Sequence, residues 1–324
     1  MSQRTTPEAS ASAASLANRA FVGLLTGAVL IGLSAIFVRL SEVGPLATAF
    51  ARAALALPVL WGWAWLANRR QGPPLARAAR GVSGRRLRTG LVLAGLYFAG
   101  DLAMFHWAVK YTAVANAVLI ANLAPIIVTA IAVLFIGERV TRTFLAGCAL
   151  ATLGTAVLMG DRLALSHDQV LGDLAALGAA CFYAAYLIAV RKLRQHIDTA
   201  SIMAWSTSAT AIALIPLALA EGGDLWPATV FGWSMLFGLA WVCHAGGQGL
   251  IAYALAHLPA SYSAINLLLQ PVLSTIFAWL ILTETLGPWQ AAGAGCVLAG
   301  LWVANVGRRA NPKATASRDS ASPP

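Results

Sequence analysis

The stretch from Ala108 to Gly154 recurs without a gap between Ala254 and Gly300, 146 residues downstream, and this limits the chain to folds that use one unit twice. The matches that decide it are the punctuating residues. Pro125 pairs with Pro271, Thr129 with Thr275, Glu138 with Glu284, Gly147 with Gly293 and Gly154 with Gly300. Each copy reads as an apolar segment with an internal proline, a short turn around a glutamate, and a second apolar segment with glycines seven residues apart. That is two adjacent membrane helices, twice over.

Composition makes the bilayer the solvent. The chain is 59% hydrophobic and 10% charged, with a mean hydropathy of +0.73, whereas soluble domains carry about 25% charged residues. Spans of about 20 residues each allow ten helices, falling near 20–40, 45–66, 89–109, 112–136, 143–159, 171–190, 200–220, 230–254, 260–282 and 288–306. The first run exceeds the core of a signal peptide and has no acceptable cleavage site after it, so it is expected to stay in the protein. Residues 1–19 read as a disordered cytoplasmic tail and 308–324 as a second tail, with one repeat over 20–160 and the other over 170–307.

The net charge of +10 does not point to nucleic acid, because the arginines sit between apolar runs. With the N-terminus inside, 18 of the 22 Lys and Arg fall in cytoplasmic segments, leaving Arg39, Arg52, Lys110 and Arg162. Both termini are therefore expected on the cytoplasmic side of the cell inner membrane. Five spans per half is an odd number, so the second half enters the membrane inverted. The two repeated turns agree: GERVTR is basic, and its equivalent TETLGP has no basic residue. The fold class is thus an all-α integral membrane protein, ten transmembrane helices in an inverted five-plus-five repeat. In such transporters a site lies near the midplane and one half rocks against the other.

The segment DLAMFHWAVKYTAVANAVLIANLAPIIVTAIAVLFIGERV and its later partner GGQGLIAYALAHLPASYSAINLLLQPVLSTIFAWLILTETL resemble the paired EamA domains of the drug/metabolite transporter superfamily. The resemblance covers residues 20 to 306. It implies ten helices, a central substrate cavity and export of small metabolites or drugs. A channel, or an intramembrane sensor or enzyme of the same architecture, is the alternative class. No HExxH, GxSxG or GxGD occurs, no metal site is indicated and no cofactor is expected; the four cysteines lie in apolar runs.

Candidate site residues are the polar groups inside spans, since a charge at a helix centre costs about 2.5–3.5 kcal/mol and so tends to face a cavity. Asp101 stands midway along the third span, with Tyr97 and Phe105 on its helical face. It reads either as the carrier of a proton or cationic group, or as the ion-pair partner of Arg52 or Arg39. Its repeat equivalent is Gly247. His244 and Gln248 are four residues apart on the eighth span. Asn116 and Asn122 precede Pro125, and Asn266 and Gln270 precede Pro271, where a proline frees carbonyls. Tyr97 and Trp241 complete the cavity set, with Trp107, Tyr183, Tyr186 and Tyr253 as further aromatic candidates. Glu138 and Glu284 read as structural, beside the first turn of the next helix. The expected partners are a small-molecule substrate, membrane lipids and a coupling proton, in a monomer or homodimer.

The orientation has a direct test. With single cysteines in a cysteine-free background, residues 68–88 and those after Arg308 should label from the cytoplasm, and position 285 from outside only. Labelling of position 285 from the cytoplasm alone would sink the inverted repeat.

Overall fold

A computed structural model of the chain describes residues 7–69, 83–112, 114–138, 140–159, 170–283 and 286–309. Most of the predicted basic loop 68–88, Arg139, Glu284, Thr285 and the tail after residue 309 lie outside the described residues. The spans are α1 (Ser15–Arg39), α2 (Pro45–Asn68), α3 (Gly84–Ala108), α4 (Ala117–Phe135), α5 (Arg142–Leu158), α6 (Val170–Arg194), α7 (Thr199–Glu221), α8 (Val230–Ala254), α9 (Ala260–Leu282) and α10 (Pro288–Gly307). Among the described residues nine are long and apolar enough to cross a membrane, and α5 is the shorter member. The tail differs from expectation. Helix extends back to Pro7, where a proline start and an Ala-rich run favour it over the predicted disorder.

The prolines act where the sequence placed them. Pro125 and Pro271 have no N–H to donate, so α4 breaks at Asn122–Leu123 and α9 at Leu267–Leu268. The matched threonines behave alike after the breaks: Thr129 Oγ1 back-bonds to the Pro125 carbonyl at 2.8 Å and Thr275 Oγ1 to that of Pro271 at 2.9 Å. The equivalence continues where the residue types differ. Gly137 ends α4 at φ +74° and Thr283 ends α9 at φ +54°, the same left-handed turn 146 residues apart.

Span α8 departs from its counterpart α3. Gly238–Gln248 winds as a π-helix, inside which lie Trp241, His244 and, at its end, Gln248; α3 is α-helical throughout. π-Helical turns are rare, and they concentrate at functional sites.

The sequence halves are not halves in space. Helix α1 packs on α8 and α9, α6 on α3 and α4, α7 on α2 and α3, and α5 on α10, so most helix packing joins one repeat to the other. A picture of one intact repeat rocking against the other does not describe this interlaced bundle.

The α5–α10 seam shows the pseudo-twofold in atomic terms. A Cβ added to Gly147 would stand 2.6 Å from the Gly300 carbonyl oxygen, and one on Gly300 would stand 2.7 Å from that of Gly147. Gly293 lies as close to Gly154, at 2.8 Å from its oxygen. The repeat operation maps the first pair onto the second. Without a hydrophobic drive between helices in lipid, such backbone approach is what makes dispersion contacts dense.

Glu138, in the turn after α4, caps a helix as expected, but one in the other repeat. Its carboxylate accepts from Ala260 N at 2.9 Å, Ser261 N at 3.3 Å and Ser261 Oγ at 2.6 Å, and it pairs with Arg191 at the end of α6. Burial works against the anion, but Arg191 and the hydrogen bonds from Ser261 and Ala260 outweigh it and hold the acid below the usual carboxylate range.

Replacing Gly147 or Gly300 by Val should destabilise by about 1–3 kcal/mol, the usual cost of overpacking. A lowered unfolding temperature in detergent would register it. Gly295→Ala, where no atom lies within 4 Å of the added Cβ, should leave it unchanged.

Candidate functional site

The site lies where α2, α3, α6, α7 and α8 meet. Arg52 is carried by α2, three residues before the break at Leu55–Ala56. Its Nη1 donates to Ser34 Oγ at 3.3 Å, its guanidinium stands 5.8 Å from the Phe98 ring centre, and its Nε is buried without a partner. The charge acts electrostatically on Asp101, Tyr183, Tyr186 and His244. Asp101 makes no direct ion pair with it among the described residues; the pair there is Glu138 with Arg191.

Asp101, Arg52, Tyr97, Phe182 and Tyr183 are all half-buried in mid-span. The ring pairs around them join α3 to α6 and lie within α6: Tyr97 and Phe182 are 6.5 Å apart, and Tyr183 stacks on Tyr186 at 6.1 Å. Accessible surface at inward-facing residues this deep means that they border an internal space. Phe98 closes one wall, 4.8 Å from Tyr186 and 5.4 Å from His244.

Helix α8 supplies the neutral polar groups. His244 and Gln248 are buried, at 1% and 2% exposure. His244 Nε2 and Thr207 Oγ1 are hydrogen-bonded at 2.8 Å, while His244 Nδ1 and Gln248 Nε2 have no partner. The Tyr186 hydroxyl beside them donates to Met203 Sδ at 3.8 Å. Buried amide and imidazole nitrogens left open are costly in a membrane interior, so they fit a site that a ligand completes.

Of the residues expected at the site, Asp101, Tyr97, Arg52, His244 and Gln248 come together. Trp241 does not. It is 48% exposed, lies tilted against Phe237 with ring centres 4.9 Å apart, and its Nε1 donates to the Leu55 carbonyl at 3.0 Å, at the α2 break. The π-helical path turns it to the outer face. Asn122 bonds back to Val118 O at 2.8 Å, and nothing is described of the Asn116 side chain. Asn266 belongs to a separate buried network, in which it donates to Tyr262 O at 2.8 Å and receives Asn305 Nδ2 at 3.3 Å. Gln270 Nε2 is buried without a partner farther along α9. Arg39 stands at the end of α1, near the membrane boundary. Thr207, Ser34 and Asn305 were not foreseen. Ser and Thr within apolar runs are common as back-bonding residues, so no local signal separates these.

Among the described residues no group of three His, Cys, Asp or Glu could hold a metal ion.

Comparison with known proteins agrees with this architecture. Relatives include the probable amino-acid metabolite efflux pump of Salmonella typhimurium, 29% identical over 67% of this chain and 76% of that protein. The pseudopaline exporter CntI of Pseudomonas aeruginosa is 26% identical over 74% and 77%. The probable terminal-alkyne amino-acid exporter of Streptantibioticus cattleyicolor is 26% identical over 64% and 70%. A solved crystal structure shares the fold at a TM-score of 0.75 and 22% identity, covering 92% of this chain and 99% of its own. The family model described as the EamA-like transporter family matches residues 18–160 and 170–306. With both repeats matched almost end to end, the chain belongs to the EamA-like transporter family.

Proposed function

We propose that this multi-pass membrane transporter exports small zwitterionic, amino-acid-type solutes from the cytoplasm, working by alternating access in the cell inner membrane with both termini cytoplasmic. One observation carries the reading: a carboxylate and a guanidinium, Asp101 and Arg52, border one internal space without a direct ion pair. Two opposite charges in a low-dielectric interior, not neutralising each other by contact, are expensive to keep. A solute bearing an ammonium and a carboxylate answers both, the first at Asp101 and the second at Arg52. Aromatic rings of Phe98, Tyr183 and Phe182 flank the space for its apolar part. The names of two relatives, both concerned with amino-acid solutes, support this class.

A proton and a substrate ammonium compete for the same carboxylate in this scheme. Entry of a proton from outside would release the solute there, which couples export to the proton gradient. The orientation rests on the Lys and Arg distribution, which gives basic turns to the proposed cytoplasmic side.

Counterflow in liposomes tests the assignment. Removing one partner of a buried charged contact costs about 2–5 kcal/mol, so Asp101→Asn should raise the half-saturation for an amino acid by at least about thirtyfold. It should also abolish proton-driven loading of inverted vesicles. Arg52→Gln should remove the preference for the free acid over its methyl ester. Unchanged counterflow and proton drive in well-folded forms of both variants would overturn the site.

A further inference from the structure

Among the described residues the Glu138 carboxylate is the one buried charge that the proposed transport site does not use, and it joins three elements from both repeats. It leaves the end of α4, reaches Arg191 at the end of α6, and caps the first turn of α9 through Ala260 and Ser261. It is 5% exposed. The opposite ends of the helices also carry carboxylates that bridge the repeats. Glu221 accepts from Leu46 N at 2.8 Å and Ala47 N at 3.1 Å at the start of α2, and Glu42 bonds to Thr229 at the start of α8. Both of these are exposed. Exposed contacts of this kind exchange readily with water and hold little, whereas a buried, multiply bonded carboxylate gives up several partners at once when it moves.

We infer that Glu138 is a gate latch: it holds the path closed at the proposed cytoplasmic end, and its contacts to Arg191 and to the start of α9 part whenever the site opens there. The topology makes separation feasible. Both Arg191 and the N–H groups of Ala260 and Ser261 lie at helix ends, so water entering the opened path can replace the lost partner at each of them. A cap between two turns of one helix would not have to part. This one spans α4, α6 and α9, whose relative positions decide whether that end is shut.

The inference rests on the orientation proposed above only for naming the face, and the test separates the two. Ser263 lies two residues beyond Ser261, is 0% exposed, and its Oγ has no partner. In a cysteine-free chain carrying Ser263→Cys, a membrane-impermeant maleimide reports opening in inside-out and in right-side-out vesicles. Glu138→Ala and Arg191→Ala should each speed labelling from the cytoplasmic face by about tenfold, the shift that loss of about 1.4 kcal/mol from the closed state gives. Arg191→Lys, which keeps the charge, should return it to the parent rate. Arg191→Ala leaves the helix cap in place, so it stays informative if Glu138→Ala folds poorly. Labelling at the parent rate in monodisperse Arg191→Ala protein would overturn the latch. Faster labelling from the external face alone would support a latch and overturn the orientation.

Discussion

Everything in this bundle depends on how closely backbones can approach in a solvent that offers no hydrophobic drive between helices. The buried apolar set is dominated by alanine, from Ala20 and Ala28 through Ala179 and Ala184 to Ala304. Glycines mark the tightest points. A Cβ on Gly95 would stand 2.3 Å from the Ser206 carbonyl oxygen and one on Gly27 2.8 Å from that of Gly247, joining α3 to α7 and α1 to α8. Dense contact at this range replaces the area term that drives a water-soluble core. Among the rings and charges inside, Arg52, Phe98, Asp101, Tyr183 and Tyr186 gather in one region, while Glu138 and Tyr262 stand apart from it.

The same close packing explains why the two repeats diverge at the site. Asp101 and Gly247 occupy equivalent positions, yet at Gly247 an added Cβ would be 2.8 Å from Ile31 and 3.2 Å from the Gly27 oxygen. That position in α8 is committed to α1 and has no room for a carboxylate. In α3 the equivalent position faces the internal space, and the charge can stand there. Symmetry of fold and asymmetry of chemistry have one steric cause.

Much of the fold was legible because a membrane simplifies the code. Apolar runs, two proline breaks, the repeated glutamate turn and the glycine series follow from local residue types, and the breaks lie where Pro125 and Pro271 predict. The site was legible in part: Asp101, Arg52, His244 and Gln248 announced themselves as polar groups in apolar runs. Trp241 misled, since a π-helix changes which residues share a face and no periodicity in GLAWVCHAGGQ signals it. Glu138 was read as a cap on a helix near in sequence, when its helix begins more than a hundred residues later. Asn266 joined a network with Asn305 that only tertiary contact creates. Long-range partners of this kind leave no local pattern.

The interlacing of the repeats has a consequence for biogenesis. As the ribosome delivers α1 to α5 into the bilayer, the helices against which α1, α2 and α5 pack in the finished protein have yet to be made. The Gly147 face of α5, shaped for backbone contact with α10, meets lipid or a chaperone until the last span arrives. The early half therefore waits in the membrane as inserted but loosely associated helices, and compaction is set by the arrival of the second half.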